Sequence, residues 1–123
     1  MKPNPVGWFE IYVQDMARAQ RFYEAVFQTT LETLEANGLE MRAFKMERDL
    51  WGAAGALVKM ESVCPGGNST LVYFSCEDCA TEAGRVIAAG GQIARPRFAI
   101  GQYGFIALAL DTEGNMIGLH SMQ

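Results

Sequence analysis

The sequence is short of the residues from which many catalytic sites are built. Its 123 residues include one histidine, His120, and three cysteines. No serine has a nucleophile elbow that His120 could serve, so a serine-hydrolase triad is not indicated. An odd, small number of cysteines does not predict a disulfide framework, and we expect a cytoplasmic protein. No glycine-rich phosphate-binding motif occurs, and no cofactor is indicated.

Long apolar runs and surplus positive charge are missing too. No apolar run approaches the ~20 residues of a membrane-spanning helix, and the N-terminal MKPNPVGW lacks the apolar core of a signal peptide. The formal net charge of −4 disfavours nucleic acids and anionic membranes as partners. Half of the residues are apolar, which predicts one globular domain over residues 1–123 with a sizeable core.

Residues 7–27, GWFEIYVQDMARAQRFYEAVF, predict a strand that runs into an amphipathic helix. Neighbouring side chains of a strand point to opposite faces, so Trp8, Glu10 and Tyr12 share one face. Asp15 lies where a helix N-cap belongs, and apolar residues follow it at helical spacing. The other, apolar face of the strand would pack against the helix. The face that carries a carboxylate between two aromatic rings is therefore free to contact something else.

The rest of the chain completes this unit and then repeats it. Strands are predicted at residues 29–34, 39–47 and 53–60, with Asn37-Gly38 as a hairpin turn, and residues 63–68 form a linker. A further strand, a helix capped by Asp78, and three strands follow. We predict an α+β fold with two tandem βαβββ modules, at about residues 6–62 and 69–122. Each sheet has a helix on one face, so its other face must enclose a shared cavity or contact another chain.

The motifs VxDMxRAxxFYEAVF and DTEGNMIGLH resemble those of the vicinal oxygen chelate superfamily. That group includes glyoxalase I, extradiol dioxygenases and bleomycin- or fosfomycin-resistance proteins. The resemblance covers nearly the whole chain and implies paired modules that form an open, cup-like mixed sheet with the helices outside, usually in a dimer. It does not imply one activity, because the superfamily spans isomerases, dioxygenases, transferases and binding proteins.

The metal enzymes of this superfamily carry ligands on the first and last strands of each unit. The resemblance places three of these positions at Trp8, Leu71 and Gly118, and a fourth within residues 55–58. None of these side chains binds a divalent cation. A register shift of two residues would bring in Glu10 and His120, still two ligands where a catalytic site needs about three. The resemblance thus implies a glyoxalase-like member without the usual metal ligands.

Glu10 and His120 are the candidate catalytic residues. Both are predicted to face the cup, and a carboxylate near an imidazole suits proton transfer. The alternative is that Glu10 is a polar residue bonded to its neighbours and His120 an exposed residue at the end of a strand.

Aromatic side chains are the candidate walls of a pocket for a flat or apolar ligand. The predicted ligand-binding residues are Trp8, Tyr12, Tyr73, Phe105 and Gly118. Trp8 and Tyr73 are favoured because they lie on or beside the former ligand positions. The ordinary alternative for each ring is the hydrophobic core.

Two further groups of residues are open to a functional or an ordinary interpretation. Arg95 and Arg97 could hold a ligand carboxylate, or they are solvated on the surface. Cys76 and Cys79 form a CxxC motif where a strand meets a helix, for which chance is favoured over a redox role.

Three hypotheses about function follow. The first is a protein that binds a small organic ligand in a metal-free cup. The second is a metal-independent lyase or isomerase that uses Glu10 and His120 as acid and base. The third is a metal-dependent enzyme of the glyoxalase or dioxygenase type with shifted ligands. We also expect a homodimer, in which the apolar strands at residues 53–60 and 103–110 supply a buried interface.

Overall fold

The computed structural model describes residues 4, 6–36 and 38–123, and the order βαβββ occurs in it twice. The elements of the first module are β1 (Phe9–Tyr12), α1 (Met16–Phe27), β2 (Glu32–Ala36), β3 (Leu39–Ala43) and β4 (Gly55–Lys59). Those of the second are β5 (Val72–Ser75), α2 (Cys79–Val86), β6 (Gln92–Ala99), β7 (Phe105–Leu110) and β8 (Met116–Ser121), with a short 3-10 helix at Gly101–Tyr103. The predicted α+β fold with two tandem modules is confirmed.

The strands form two open mixed sheets with equivalent connectivity. Their orders are β1-β4-β3-β2 and β5-β8-β7-β6. In each sheet the first strand lies parallel to the last one, and the other pairs are antiparallel. Ala36 lies opposite Leu39, as the predicted hairpin requires, although Asn37 itself lies outside the described residues.

Both predicted helix caps are confirmed. The Asp15 carboxylate accepts a hydrogen bond from the Arg18 backbone N–H (3.1 Å), and the Asp78 carboxylate accepts one from the Ala80 N–H (3.0 Å). Each bond satisfies a backbone donor that the start of a helix leaves free. Neither helix of the described chain is long and apolar enough to cross a membrane.

The main core lies between the helices and one face of each sheet. It includes Ile11 and Leu57 of the first sheet, Ala107 and Leu119 of the second, and the buried stripe of α1. Because side chains alternate along a strand, the residues between these core positions face the other way. We call those surfaces the first open face (Trp8, Glu10, Tyr12, Glu32, Leu34, Met41, Ala43, Ala56, Val58) and the second open face (Tyr73, Ser75, Arg95, Phe98, Ile106, Leu108, Gly118, His120).

Strand β4 is buried within a single chain. Ala56, Leu57 and Val58 have no exposed area. They therefore offer no surface to a second subunit, in contrast to the role predicted for residues 53–60. The reason is that β4 lies between β1 and β3, with Leu57 packed in the main core and Ala56 and Val58 packed in a small cluster with Met41 and Ala43.

The turn between β7 and β8 joins the two modules through Glu113. Its buried carboxylate accepts backbone hydrogen bonds from Gln14 (2.9 Å) and Asp15 (2.8 Å) and pairs with Arg18 Nε (2.7 Å). Burial acts to raise the pKa of this carboxyl, but the Arg18, Asp15 and Gln14 hydrogen bonds outweigh it and lower the pKa from 4.5 to about 2. Glu113 is therefore ionised at neutral pH and holds the start of α1.

Asp111 and Asn115 complete this connection. The Asp111 carboxylate accepts hydrogen bonds from the Tyr23 hydroxyl (2.7 Å) and from the backbone N–H groups of Glu113 and Asn115 (both 2.8 Å). The Asn115 amide donates to the Tyr12 carbonyl (2.9 Å). The turn thus fixes where β1 lies relative to the second module.

Candidate functional site

A hydrogen-bonded trio stands on the first open face. The Glu10 carboxylate accepts hydrogen bonds from Trp8 Nε1 (3.3 Å) and from the Tyr12 hydroxyl (2.8 Å). The alternation of β1 places all three side chains on one side, as predicted, and 38% of Trp8 is exposed. The hydrogen bond to Glu10, then burial, then the Glu10 charge raise the pKa of Tyr12. Tyr12 therefore remains a hydrogen-bond donor and fixes the carboxylate.

Small apolar side chains form the floor beside this trio. Met41, Ala43, Ala56 and Val58 are buried in a cluster of their own, and Tyr12 packs against it. The floor carries no donor or acceptor side chain, so the polar side chains of this face lie at its two edges, with Glu10 and Tyr12 on β1 and Glu32 on β2.

A groove of about 540 Å³ opens next to Glu10 and Tyr12. Its walls are β1, residues 63–70 and the start of β8. The Asn115 Oδ1 accepts a hydrogen bond from the Gly66 N–H (2.7 Å), and the Asn68 side chain bonds both backbone groups of Met116 (2.6 and 3.1 Å). The segment predicted as a linker is thus a shaped wall of the groove, which sequence reasoning missed because these bonds span about 50 residues.

The second open face combines aromatic, apolar and basic side chains in two rows across the sheet. One row is Tyr73, Gly118, Leu108 and Arg95, and the next is Ser75, His120, Ile106 and Phe98. Gly118 is required here, because a Cβ at this position would collide with the ring of Tyr73. Tyr73, Gly118 and His120 therefore share one face, and 46% of Tyr73 is exposed.

Glu10 and His120 lie on different sheets and have different partners. His120 Nε2 is 2.7 Å from the carbonyl oxygen of Tyr103. A carbonyl only accepts, so Nε2 carries a proton and Nδ1 is the acceptor of the neutral ring. In the part of the chain that the structure describes, no hydrogen bond joins Glu10 to His120, and their joint role in catalysis stays a prediction.

Phe105 is not brought together with the other predicted ligand-binding residues. It packs against the main core on the side opposite to Tyr73 and Gly118. The guanidinium of Arg97 lies over its ring, 3.7 Å from the centroid. We therefore leave Phe105 out of the site proposed below.

The CxxC motif has the character of an ordinary buried segment. All three cysteines are free, and Cys79 has no exposed area. Burial first, and the negative charge of Glu82 second, raise the pKa of Cys76 to about 12. Redox exchange needs a thiolate, so the environment of Cys76 does not favour this role.

The residues do not fit the metal site that the superfamily resemblance implies. Glu10 is held by two side chains of its own module and His120 by a backbone carbonyl. Within residues 6–36 and 38–123, no three His, Cys, Asp or Glu side chains converge as ligands. A catalytic metal needs about three protein ligands.

Comparisons with known proteins agree with this architecture. The family model described as Glyoxalase/Bleomycin resistance protein/Dioxygenase superfamily matches residues 6–119. A protein named "Putative glyoxylase CFP32" from Mycobacterium tuberculosis is 25% identical over 115 residues, which are 92% of this chain and 44% of that protein. The chain thus spans less than half the length of the curated relatives it matches.

Two solved structures illustrate the shared fold. A glyoxalase-related enzyme from Fulvimarina pelagi has a TM-score of 0.73 and 20% identity, over 96% of this chain and 88% of its own. TnmS3, an antibiotic binding protein from Streptomyces sp. CB03234, has a TM-score of 0.69 and 22% identity, over 98% of each chain.

Proposed function

This chain belongs to the Glyoxalase/Bleomycin resistance protein/Dioxygenase superfamily, and we propose that it binds a small organic ligand on its open faces without a metal ion. The observation that carries this proposal is the trio of Trp8, Glu10 and Tyr12 beside an open groove. That a neighbour in fold, TnmS3, is an antibiotic binding protein supports a binding role for this architecture.

The trio suits a ligand with an aromatic body and a hydrogen-bond donor. The exposed surface of Trp8 offers a flat apolar contact. Each oxygen of the Glu10 carboxylate has one donor from its own module, which leaves further lone pairs for an N–H or O–H of the ligand. Because Trp8 and Tyr12 already orient the carboxylate, little ordering entropy is lost on binding.

Titration with the fluorescent amine N-phenyl-1-naphthylamine tests this proposal. We expect saturable binding that Trp8→Ala weakens about tenfold, since loss of an aromatic contact costs on the order of 1 to 2 kcal/mol. Trp51→Ala is the matched control, because Trp51 is 83% exposed in the loop between β3 and β4. Equal losses in the two variants, or no saturable binding, would contradict the proposal.

The alternative is a metal-independent enzyme in which Glu10 and His120 transfer protons. It is favoured by the exposed Glu10 carboxylate and by the acceptor Nδ1 of His120. Deuterium exchange into dihydroxyacetone, an enolisable carbonyl, separates the two functions. The binding proposal expects no exchange above the buffer rate. If the wild-type protein catalyses exchange, and Glu10→Gln abolishes it while still binding N-phenyl-1-naphthylamine, the enzyme function is established. Stoichiometric metal in the purified protein would instead favour the third hypothesis.

The proposal includes a cytoplasmic homodimer. The free thiols of Cys64, Cys76 and Cys79 support a reducing compartment. The exposed side chain of Tyr103, within the predicted interface at residues 103–110, supports a contact with a second copy. Light scattering on the purified protein tests the oligomeric state, and a monomer at all concentrations would contradict this part.

A further inference from the structure

Strand β6 is irregular at the point where it carries Arg95. In a regular strand, Arg95 would share a face with Ile93, which belongs to the core side. The pairing with β7 shifts between these residues, so that Ile93 lies opposite Ala109 but Arg95 lies opposite Leu108 on the second open face. Such bulges re-aim side chains and are common next to functional sites.

A second shift brings an aromatic ring to the same place. Phe98 lies three residues after Arg95 and would face the other way in a regular strand. Its observed partner is Ile106, which puts Phe98 on the second open face as well. The Arg95 guanidinium lies over the Phe98 ring, 3.5 Å from the centroid. This stack holds the guanidinium plane and leaves its N–H edge free to donate.

Arg97 provides a direct contrast within the same strand. It lies on the core side, over the ring of Phe105, and its Nε is 3.9 Å from the carboxylate of Asp78. Among the side chains that the structure describes, Arg95 has no carboxylate within ion-pair distance. A cation in an acidic protein is thus presented on an open face without an internal counter-ion.

The row that contains Arg95 has the dimensions of a small aromatic ligand. Tyr73, Gly118, Leu108 and Arg95 lie on four successive strands. Three strand spacings separate the ends by about 14 Å. Tyr73 leans over Gly118 as a wall, and Leu108 forms a partly exposed apolar floor. An apolar ring system fits against this floor, and its charged end meets Arg95.

From this placement we propose that Arg95 determines ligand specificity, and that the ligand is an aromatic anion whose carboxylate or sulfonate-like group Arg95 binds. The inference rests on the proposed function and concerns the second open face, for which it adds the chemical class of the ligand. Guanidinium groups bind carboxylates and tetrahedral oxyanions through paired N–H donors.

Two fluorescent probes that differ by one anionic group test the proposal. These are N-phenyl-1-naphthylamine and its sulfonated analogue 8-anilinonaphthalene-1-sulfonate. We expect the wild-type protein to bind the sulfonate about tenfold more tightly than the amine, the ratio that one charge-assisted hydrogen bond provides. Arg95→Gln should remove this preference, whereas Arg97→Gln should retain it.

The outcomes separate this inference from the proposed function. If the wild-type protein binds both probes equally, or Arg95→Gln retains the preference, the role of Arg95 is overturned while ligand binding stands. An equal loss in Arg97→Gln also overturns it, because the effect is then one of net charge. If neither probe binds, the proposed function fails and this inference fails with it. Circular dichroism confirms that each variant is folded.

Discussion

The loop that follows the third strand is exposed in the first module and buried in the second. Residues 44–54 connect β3 to β4, and Trp51 in this loop is 83% exposed. Residues 111–115 connect β7 to β8, and Asp111 and Glu113 are only 5% and 8% exposed. The same position in the repeat therefore holds a free loop in one module and a polar connection in the other.

The difference follows from what each loop faces. The second loop lies against the start of α1, whose free N–H groups and positive dipole end suit the Glu113 carboxylate. The first loop makes a local bond from the Leu50 N–H to the Glu47 carbonyl (3.2 Å). The role of each loop therefore depends on the elements that it contacts and not on its position in the repeat. The second loop stabilises both modules because it connects them.

The open faces differ in a parallel way. On the first face, Tyr12 and Trp8 are bonded to Glu10, and the floor behind them is buried. On the second face, Tyr73 is exposed, and the floor around Leu108 is partly exposed. The first face is therefore preorganised by its own side chains, whereas the second is open to an incoming molecule.

The loop comparison predicts its largest effect at Asp111. Asp111→Ala should lower the free energy of unfolding by about 3 to 5 kcal/mol, because it leaves several buried donors without an acceptor. One of them is the Tyr23 hydroxyl, whose pKa burial and the Asp111 charge hold well above its ordinary value of 10.0. Urea unfolding followed by circular dichroism measures the change.

Asp49→Ala is the matched control in the exposed loop of the first module. Surface substitutions usually change stability by less than about 0.5 kcal/mol, so this variant should unfold like the wild type. If the two aspartate variants lost equal stability, the contrast between the loops would be wrong.

Helices and strands could be predicted because their signals are local in the sequence. Contacts between residues that are distant in the sequence could not be predicted. Asp15 and Asp78 were identified as helix caps because a cap acts within three residues of its own position. The role of Glu113 was not predicted. Its partners Gln14 and Arg18 lie 99 and 95 residues away, and nothing in the residues 111–115 shows which helix they will meet.

The comparison of the loops also predicts how stability depends on pH. The pKa of Glu113 is about 2 in the folded protein, against an ordinary value of 4.5. A depressed pKa stabilises the fold above the unfolded value, and this contribution is lost as pH falls from about 5 to about 2. We expect a loss of about 2 kcal/mol over this range, since the exposed Arg18 weakens the pair.

Glu113→Gln should therefore unfold more easily at neutral pH and lose less stability on acidification than the wild type. Urea unfolding at several pH values measures both effects. Glu47→Gln, in the exposed loop, should retain the wild-type slope. A Glu113→Gln slope identical to that of the wild type would show that Glu113 is not the titrating group of the buried loop.

The two open faces were predictable to different degrees for a physical reason. In β1, Glu10 marks the side that faces away from the core, so the trio was assigned correctly to one face. Strand β7 reads FIALAL and has no polar residue to mark a side, so the face that Phe105 occupies could not be derived from the sequence. Bulges in β6 break the alternation, so the face that Arg95 occupies could not be derived from spacing.

The smallest predicted effect sharpens the comparison of the faces. Tyr12 donates to Glu10, and this hydrogen bond is the first cause of its raised pKa. Glu10→Gln removes the charge and should move the titration of one tyrosine to lower pH, as measured by tyrosinate absorbance. The Tyr12→Phe variant should lack this transition, which assigns it to Tyr12.

The same pair affects stability at high pH. A raised pKa stabilises the fold below the unfolded value, and this contribution is lost as pH rises. Glu10→Gln should therefore lose less stability in alkali than the wild type. The trio is exposed, so the change at neutral pH should stay within about 1 kcal/mol. An unchanged tyrosine titration would mean that Tyr12 does not hold Glu10 in place for a ligand.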